Sequence, residues 1–129
     1  MGDKVNVKKR VLIVDDEPKI VKIISLKLRL AGYEVTSSTN SLEVVERIRY
    51  QKPDIVLLDI IMPGMDGYEV LQRVRSFSMV PIIIFTARHE GIEKAMRLGA
   101  NDSISKPFNP DQLVEKINIL LANDTSVII

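Results

Sequence analysis

The chain has 129 residues, 46% of them apolar and 27% charged, with a formal charge of +1. That length suits one domain with a full-sized core, and the near-neutral charge gives no reason to expect nucleic acid or an anionic membrane as a direct partner. The absence of cysteine excludes a disulfide framework and a thiolate metal site. With no apolar run near the roughly 20 residues that span a bilayer and no apolar signal-peptide core ahead of the first strand, a cytoplasmic protein is expected.

The basic start, Lys4 with Lys8, Lys9 and Arg10, reads as a solvated N-terminus. Val11 to Val14 is a short apolar run that ends in Asp15 and Asp16. A helical pattern follows over Pro18 to Ala31, with proline in its opening turn and Gly32 just past its end. Glu34 to Ser38 is a weaker strand candidate. Ser41 to Gln51 is the second helix, with Asn40 and Glu43 spaced like a capping box. Ile55 to Leu58 is a second apolar run, ending in Asp59, and Asp66 to Ser76 is the third helix. Pro81 to Phe85 runs into Thr86, and a fourth helix covers roughly Gly91 to Leu98, closed by Gly99. Asp102 to Ser105 is a weak strand ahead of Lys106 and Pro107. Asn109 to Leu121 is the last helix, with Asn109 as N-cap and Pro110 first inside. Unbroken β-branched runs fit strands buried on both faces. Five βα units predict an α/β fold, a five-stranded parallel sheet wound with helices on both faces. One domain is expected over 1–122, with 123–129 a tail or the start of a linker.

Ligands of open parallel sheets bind beyond the carboxyl ends of the strands. Those ends carry Asp15, Asp16, Asp59, Thr86 and Lys106. Three carboxylates in one patch repel each other unless some are protonated or a cation joins them. Hard oxygen ligands of this kind suit Mg²⁺, which keeps several waters and takes one or two carboxylates. A lysine can hold a phosphate oxygen as a point charge, and a threonine hydroxyl can donate to another. These are the parts needed to transfer a phosphoryl group to an aspartate. Singly, each has an ordinary explanation: an Asp after a strand is usually a turn residue or helix cap, a Thr a turn hydroxyl, a Lys-Pro pair a loop. Their joint placement at four strand ends carries the reading.

The segments Val11-Leu12-Ile13-Val14-Asp15-Asp16-Glu17-Pro18, Leu58-Asp59-Ile60-Ile61-Met62-Pro63-Gly64-Met65-Asp66-Gly67, Thr86-Ala87-Arg88 and Lys106-Pro107-Phe108 resemble the motifs of response-regulator receiver domains. The resemblance runs from about Arg10 to Leu121. It implies a flavodoxin-like fold and a two-component signalling role, with Asp59 as phosphoacceptor. It also implies Mg²⁺ held by Asp16, Asp59 and the backbone carbonyl of Ile61, with Asp15 acting mainly through water. Lys106 and Thr86 would hold the phosphoryl oxygens, and the Lys106–Pro107 peptide would be cis. The implied partners are a histidine kinase or histidine phosphotransferase and a downstream effector protein or domain. A phosphorylation-dependent dimer is a further expectation. Ile61 and Arg88 resemble the family's lifetime-tuning pair; an apolar Ile61 and a cationic Arg88 lid favour slow hydrolysis.

The chain departs from the family at three places. Ser103 stands where an aromatic residue usually follows the threonine in the switch, so the switch is expected to act through the segment from Ala87 to Leu98. The stretch from Thr86 to Gly99 is shorter than usual. Gln112 and Lys116 replace the Glu and Arg usual in winged-helix regulators. Among other functions, an aspartyl phosphatase would need an acid two residues after Asp59, where Ile61 stands. A flavodoxin-type cofactor binder would not place Asp15, Asp16 and Glu17 where a phosphate must sit. The expectation is a signalling phosphoacceptor that catalyses its own modification rather than a turnover enzyme; an unphosphorylated interaction module is the remaining alternative. On the first helix, Ile20, Ile24, Leu28 and Ala31 form the expected buried stripe. Ile23, Leu26 and Leu30 widen the apolar arc, either to pack on the last helix or to dock the kinase. His89, the only histidine, reads as a solvated loop residue, and Met62 and Met65 as loop-shaping residues.

Overall fold

The structure, a computed structural model, describes residues 7–62, 66–87 and 89–123. Lys4, Pro63, Gly64, Met65, Arg88 and the tail from Asp124 lie outside the described residues. Strands β1 (Arg10–Val14), β2 (Glu34–Ser38), β3 (Ile55–Leu58), β4 (Ile82–Thr86) and β5 (Asp102–Ser105) alternate with helices α1 (Pro18–Leu30), α2 (Ser41–Gln51), α3 (Gly67–Arg75), α4 (Ile92–Arg97) and α5 (Pro110–Asn123). Every strand pairing is parallel, in the order β2-β1-β3-β4-β5. The chain winds outward from β1 to β2, then returns past β1 to β3. The two strands that end in aspartates are therefore neighbours at the point where the winding reverses, where α/β sheets open a crevice.

Side-chain alternation divides the core in two. Val11, Ile13, Ile55, Leu57, Ile83, Phe85 and Ile104 point to the layer of α1 and α5, where Ile24, Leu28, Leu113 and Ile117 meet them. Leu12, Val14, Val56, Leu58, Ile82 and Ile84 point to the layer of α2, α3 and α4, against Val44, Ile48, Val70, Val74 and Ala95. A strand buried on both faces has no polar position, which is why β1, β3 and β4 read as unbroken apolar runs.

The element boundaries differ from expectation where a local bond decides them. β4 begins at Ile82 because Pro81 has no N–H; its carbonyl still accepts from Val56 at 3.0 Å. α1 stops at Leu30, and Ala31 is its C-cap ahead of Gly32 at φ +100°. Ala31 is therefore exposed and does not extend the buried stripe, which consists of Ile24 and Leu28 with small Ser25 and a partly buried Ile20. Nor does the last helix cover Ile23, Leu26 and Leu30, which are 59%, 61% and 77% exposed. The capping box of α2 is relayed: Asn40 Oδ1 accepts from the Leu42 N–H, while the Asn40 N–H donates to Ser38 Oγ, which donates to Glu43 Oε1. The shortened fourth unit is a 3-10 turn over His89–Gly91 followed by a helix of only six residues.

Two glycines with opposite constraints allow a test. Gly32 has positive φ but open space around a would-be Cβ, whereas a Cβ on Gly67 would lie 2.4 Å from the Ile60 Cα. Gly32→Ala should cost about 1–2 kcal/mol of backbone strain. Gly67→Ala must displace the backbone beside Asp59 and should cost more, about 3 kcal/mol. Urea unfolding of both variants checks the order; a smaller loss for Gly67→Ala would contradict it.

Candidate functional site

Strand parity brings three of the expected residues together. Asp15 continues the phase of Ile13, Asp59 that of Leu57, and Lys106 that of Ile104, all on the α1/α5 side of the sheet. Lys106 Nζ donates to Asp15 Oδ2 at 2.9 Å, to Asp59 Oδ2 at 3.1 Å and to Glu17 Oε1 at 3.3 Å. The second oxygen of each buried carboxylate is held by backbone: Asp15 Oδ1 accepts from the Glu17 N–H and Asp59 Oδ1 from the Ile61 N–H, both at 3.0 Å. The main chain is pinned as well. The Asp59 N–H donates to the Val14 carbonyl and the Asp15 N–H to the Ser38 carbonyl, which extends the ladder one step past the strands.

Burial pushes the Asp59 carboxyl up; the Ile61 N–H and the Lys106 ammonium pull it down without cancelling the effect, and Asp15 adds to the rise. For Lys106, burial acts downward, but hydrogen bonds and charge from Asp15 and Asp59 outweigh it and the ammonium is pushed up to about 12. Asp15 and Asp59 are buried and Asp16 is exposed, and one oxygen from each lies within 4.8 Å of the others. With Glu17 there are four carboxylates, and among the described residues Lys106 is the ammonium that pairs with three of them, Asp15, Asp59 and Glu17. A hard cation therefore fits the donor set, and the exposed Asp16 gives it an open side toward solvent.

The other expected residues lie around this centre. Thr86 is buried at the end of β4, with opposite parity, and its carbonyl accepts from the Lys106 N–H at 2.9 Å. The Lys106–Pro107 peptide is cis. The Ile61 side chain is 45% exposed beside the Asp59 carboxylate that its N–H holds. Ser103 sits partly buried in β5 opposite Ile84, and its N–H donates to Asp102 Oδ1. Lys116 of α5 pairs with that same Asp102 at 3.2 Å, while Gln112 is exposed. His89 is exposed in the 3-10 turn, with Nδ1 3.3 Å from Ser105 Oγ, and Met62 packs partly buried on the α2/α3 layer.

Two further side chains complete the site. Glu17 is a fourth carboxylate on the site; the run Asp15-Asp16-Glu17 was the available signal. Phe85 lies 5.0 Å from Lys106 Nζ at its ring centroid and meets Phe108 edge-on, so the ammonium rests on an aromatic floor. The parity of β4 places Phe85 on the same face as Asp15.

The raised Asp59 carboxyl has a sign that can be checked. Stability from its neutral form is present below the ordinary carboxylate range and lost as pH rises through its raised pKa, so at neutral pH the ionised group opposes folding. Asp59→Asn should therefore melt higher than the unaltered chain at pH 7 without divalent cations, by about 3 °C or more. The gap should close as pH falls into the carboxylate range. A lower melting temperature for Asp59→Asn at pH 7 would contradict the assignment.

Comparison with known proteins matches this geometry. Residues 11–118 match the family described as the response regulator receiver domain. A probable transcriptional regulator, ycf27, of Guillardia theta is 41% identical over 116 residues, which cover 88% of this chain and 46% of that protein. The transcriptional regulatory protein BaeR of Escherichia coli O6:H1 is 37% identical over 114 residues, 87% of this chain and 48% of its own length. The chain thus spans about half the length of these curated relatives. A CheY-like response regulator receiver domain protein from Methanospirillum hungatei JF-1 superposes with a TM-score of 0.85 at 32% identity, over 91% of this chain and 96% of that one. The BeF3-activated N-terminal receiver domain of Klebsiella pneumoniae RstA gives 0.83 at 28% identity, over 88% and 98%. With the parallel sheet, the acidic crevice and the Lys106 bridge in place, the chain belongs to the response-regulator receiver domains of two-component signalling.

Proposed function

We propose that this domain takes a phosphoryl group onto Asp59 from a histidine kinase or histidine phosphotransferase, in a Mg²⁺-dependent reaction, and so switches a surface read by an effector. The observation that carries this is the buried Asp59 carboxylate held between the Ile61 N–H and the Lys106 ammonium, beside Asp15 and Asp16. In the transfer, an Asp59 oxygen bonds to phosphorus as the bond from phosphorus to the donor's histidine nitrogen breaks. Lys106, already 3.1 Å from Asp59, neutralises charge on the phosphoryl oxygens, and the Thr86 hydroxyl donates to another. Asp16 and Asp59, with the Ile61 carbonyl and with Asp15 through water, would hold Mg²⁺, which supplies charge neutralisation for the transferred group. The domain acts as a signalling phosphoacceptor, not as a turnover enzyme.

The site also supports a slow loss of the phosphoryl group. Ile61 flanks the site with an apolar side chain that can neither orient a water nor act as a base, and Arg88 would close over it as a cationic lid. For the donor, Ile23, Leu26 and Leu30 remain exposed on α1 and line a groove with Asn109, Pro110 and Asp111. A second groove joins it beside Ile20, Lys106 and Phe108. An apolar trench that leads to Lys106 suits a kinase helix whose phosphohistidine must reach Asp59. The same reading places the domain in the cytoplasm, where such kinases present their phosphohistidine; no helix among the described residues is long and apolar enough to cross a membrane. A phosphorylation-dependent dimer belongs to the same reading.

Acetyl phosphate with Mg²⁺ should add one phosphoryl group to the unaltered chain by intact mass. Asp59→Asn should take up none, and Asp16→Asn should need much higher Mg²⁺, because a charged ligand is lost. Undiminished labelling of Asp59→Asn would mean that the acceptor lies elsewhere.

A further inference from the structure

Tyr68, the second residue of α3, is half-buried and spans to the fourth unit. Its hydroxyl donates to the Gly91 carbonyl at 3.2 Å, and the Lys94 ammonium lies 4.3 Å from its ring centroid. Gly91 is buried at the entry to α4; a Cβ there would lie 2.4 Å from Tyr68 Oη and 2.8 Å from Ile60 Cδ1. Ile60 directly follows Asp59 and is itself packed on Gly67, the first residue of α3. A chain of close contacts thus joins the peptide after Asp59 to the point where α4 begins. At the far end of α4, Arg75 donates to the Gly99 carbonyl from Nε at 3.0 Å and Nη2 at 2.9 Å. α3 therefore holds α4 at both ends. A helix of six residues has little stability of its own, so such contacts decide where it lies.

We propose that Tyr68 is a latch that holds α4 in the arrangement in which Asp15, Glu17 and Asp59 share Lys106, and so sets how readily phosphorylation of Asp59 moves α4. This rests on the phosphoacceptor reading above. Drawing Thr86 and Lys106 toward a phosphoryl group pulls on the five residues that connect β4 to α4. The Tyr68–Gly91 bond is longer than the usual O–H···O range, so a small displacement of that connection breaks it. A contact made in one arrangement only favours that arrangement and weakens whatever binds the other. Ser103 offers no ring on the β5 side of α4; Tyr68 brings an aromatic hydroxyl from the α3 side. Tyr68 is a positioning residue in this scheme and touches neither Asp59 nor the phosphoryl group.

The test is beryllofluoride binding in saturating Mg²⁺, with Mg²⁺ affinity measured separately. Tyr68→Phe keeps the ring under Lys94 and removes only the donor. It should tighten beryllofluoride binding about fivefold, the worth of one modest hydrogen bond, leave Mg²⁺ affinity unchanged, and speed amide exchange over 87–98 before beryllofluoride is added. Lys94→Met, at an exposed side chain, is a second probe that leaves the packing of α3 intact and should tighten binding about twofold. A role in packing alone would lower the melting temperature without tightening beryllofluoride. Equal or weaker binding by both variants overturns the latch while the unaltered chain still binds. Failure of the unaltered chain to bind beryllofluoride overturns the phosphoacceptor reading and the latch with it.

Discussion

One ammonium group organises the crevice. Lys106 Nζ bonds Asp15, Asp59 and Glu17 at once, over sequence separations of 91, 47 and 89 residues. Asp15 and Asp59 are buried side by side, and Lys106 supplies the positive charge that offsets their mutual repulsion. Yet the carboxylates still outnumber it. The remaining negative charge leaves a donor set that fits a hard cation.

The same geometry couples chemistry to surface. Asp15, Asp59 and Lys106 follow the parity of the α1/α5 layer, whereas Thr86 and Ile60 follow that of the layer containing α4. The two halves of the site therefore lie on opposite faces of the sheet and are joined by single peptides: Asp59 to Ile60, and Phe85 to Thr86. α1 carries the exposed apolar arc on the side where the donor would approach, and α4 lies on the other side, held by α3.

Much of this was legible in the sequence because strands buried on both faces leave a plain signature. β1, β3 and β4 read as apolar runs punctuated by Asp15, Asp59 and Thr86, and their ends define the crevice before any contact is known. Edge strands are half solvated, so Glu34 to Ser38 and Asp102 to Ser105 gave weaker patterns. What could not be read depended on tertiary reach. Glu17 stands beside Asp16 in the sequence, but its contact with Lys106 at 3.3 Å spans 89 residues and depends on the fold. Ala31 fitted the helical phase of α1, but Gly32 ends that phase one residue earlier than periodicity implies. Ile23, Leu26 and Leu30 had a phase compatible with either packing or exposure, and only the position of α5 decides between them. Tyr68 carried no motif at all; its partner carbonyl is 23 residues away and belongs to a glycine whose only local signal was helix punctuation.

Lys106 and a divalent cation would compete for one set of carboxylates. Calorimetric titration of Mg²⁺ into Lys106→Ala tests it most directly. A tighter site than in the unaltered chain is expected, by roughly tenfold for each 1.4 kcal/mol of lost charge repulsion, together with a lower melting temperature when Mg²⁺ is withheld. Mg²⁺ binding to Lys106→Ala that is unchanged or weaker would contradict it.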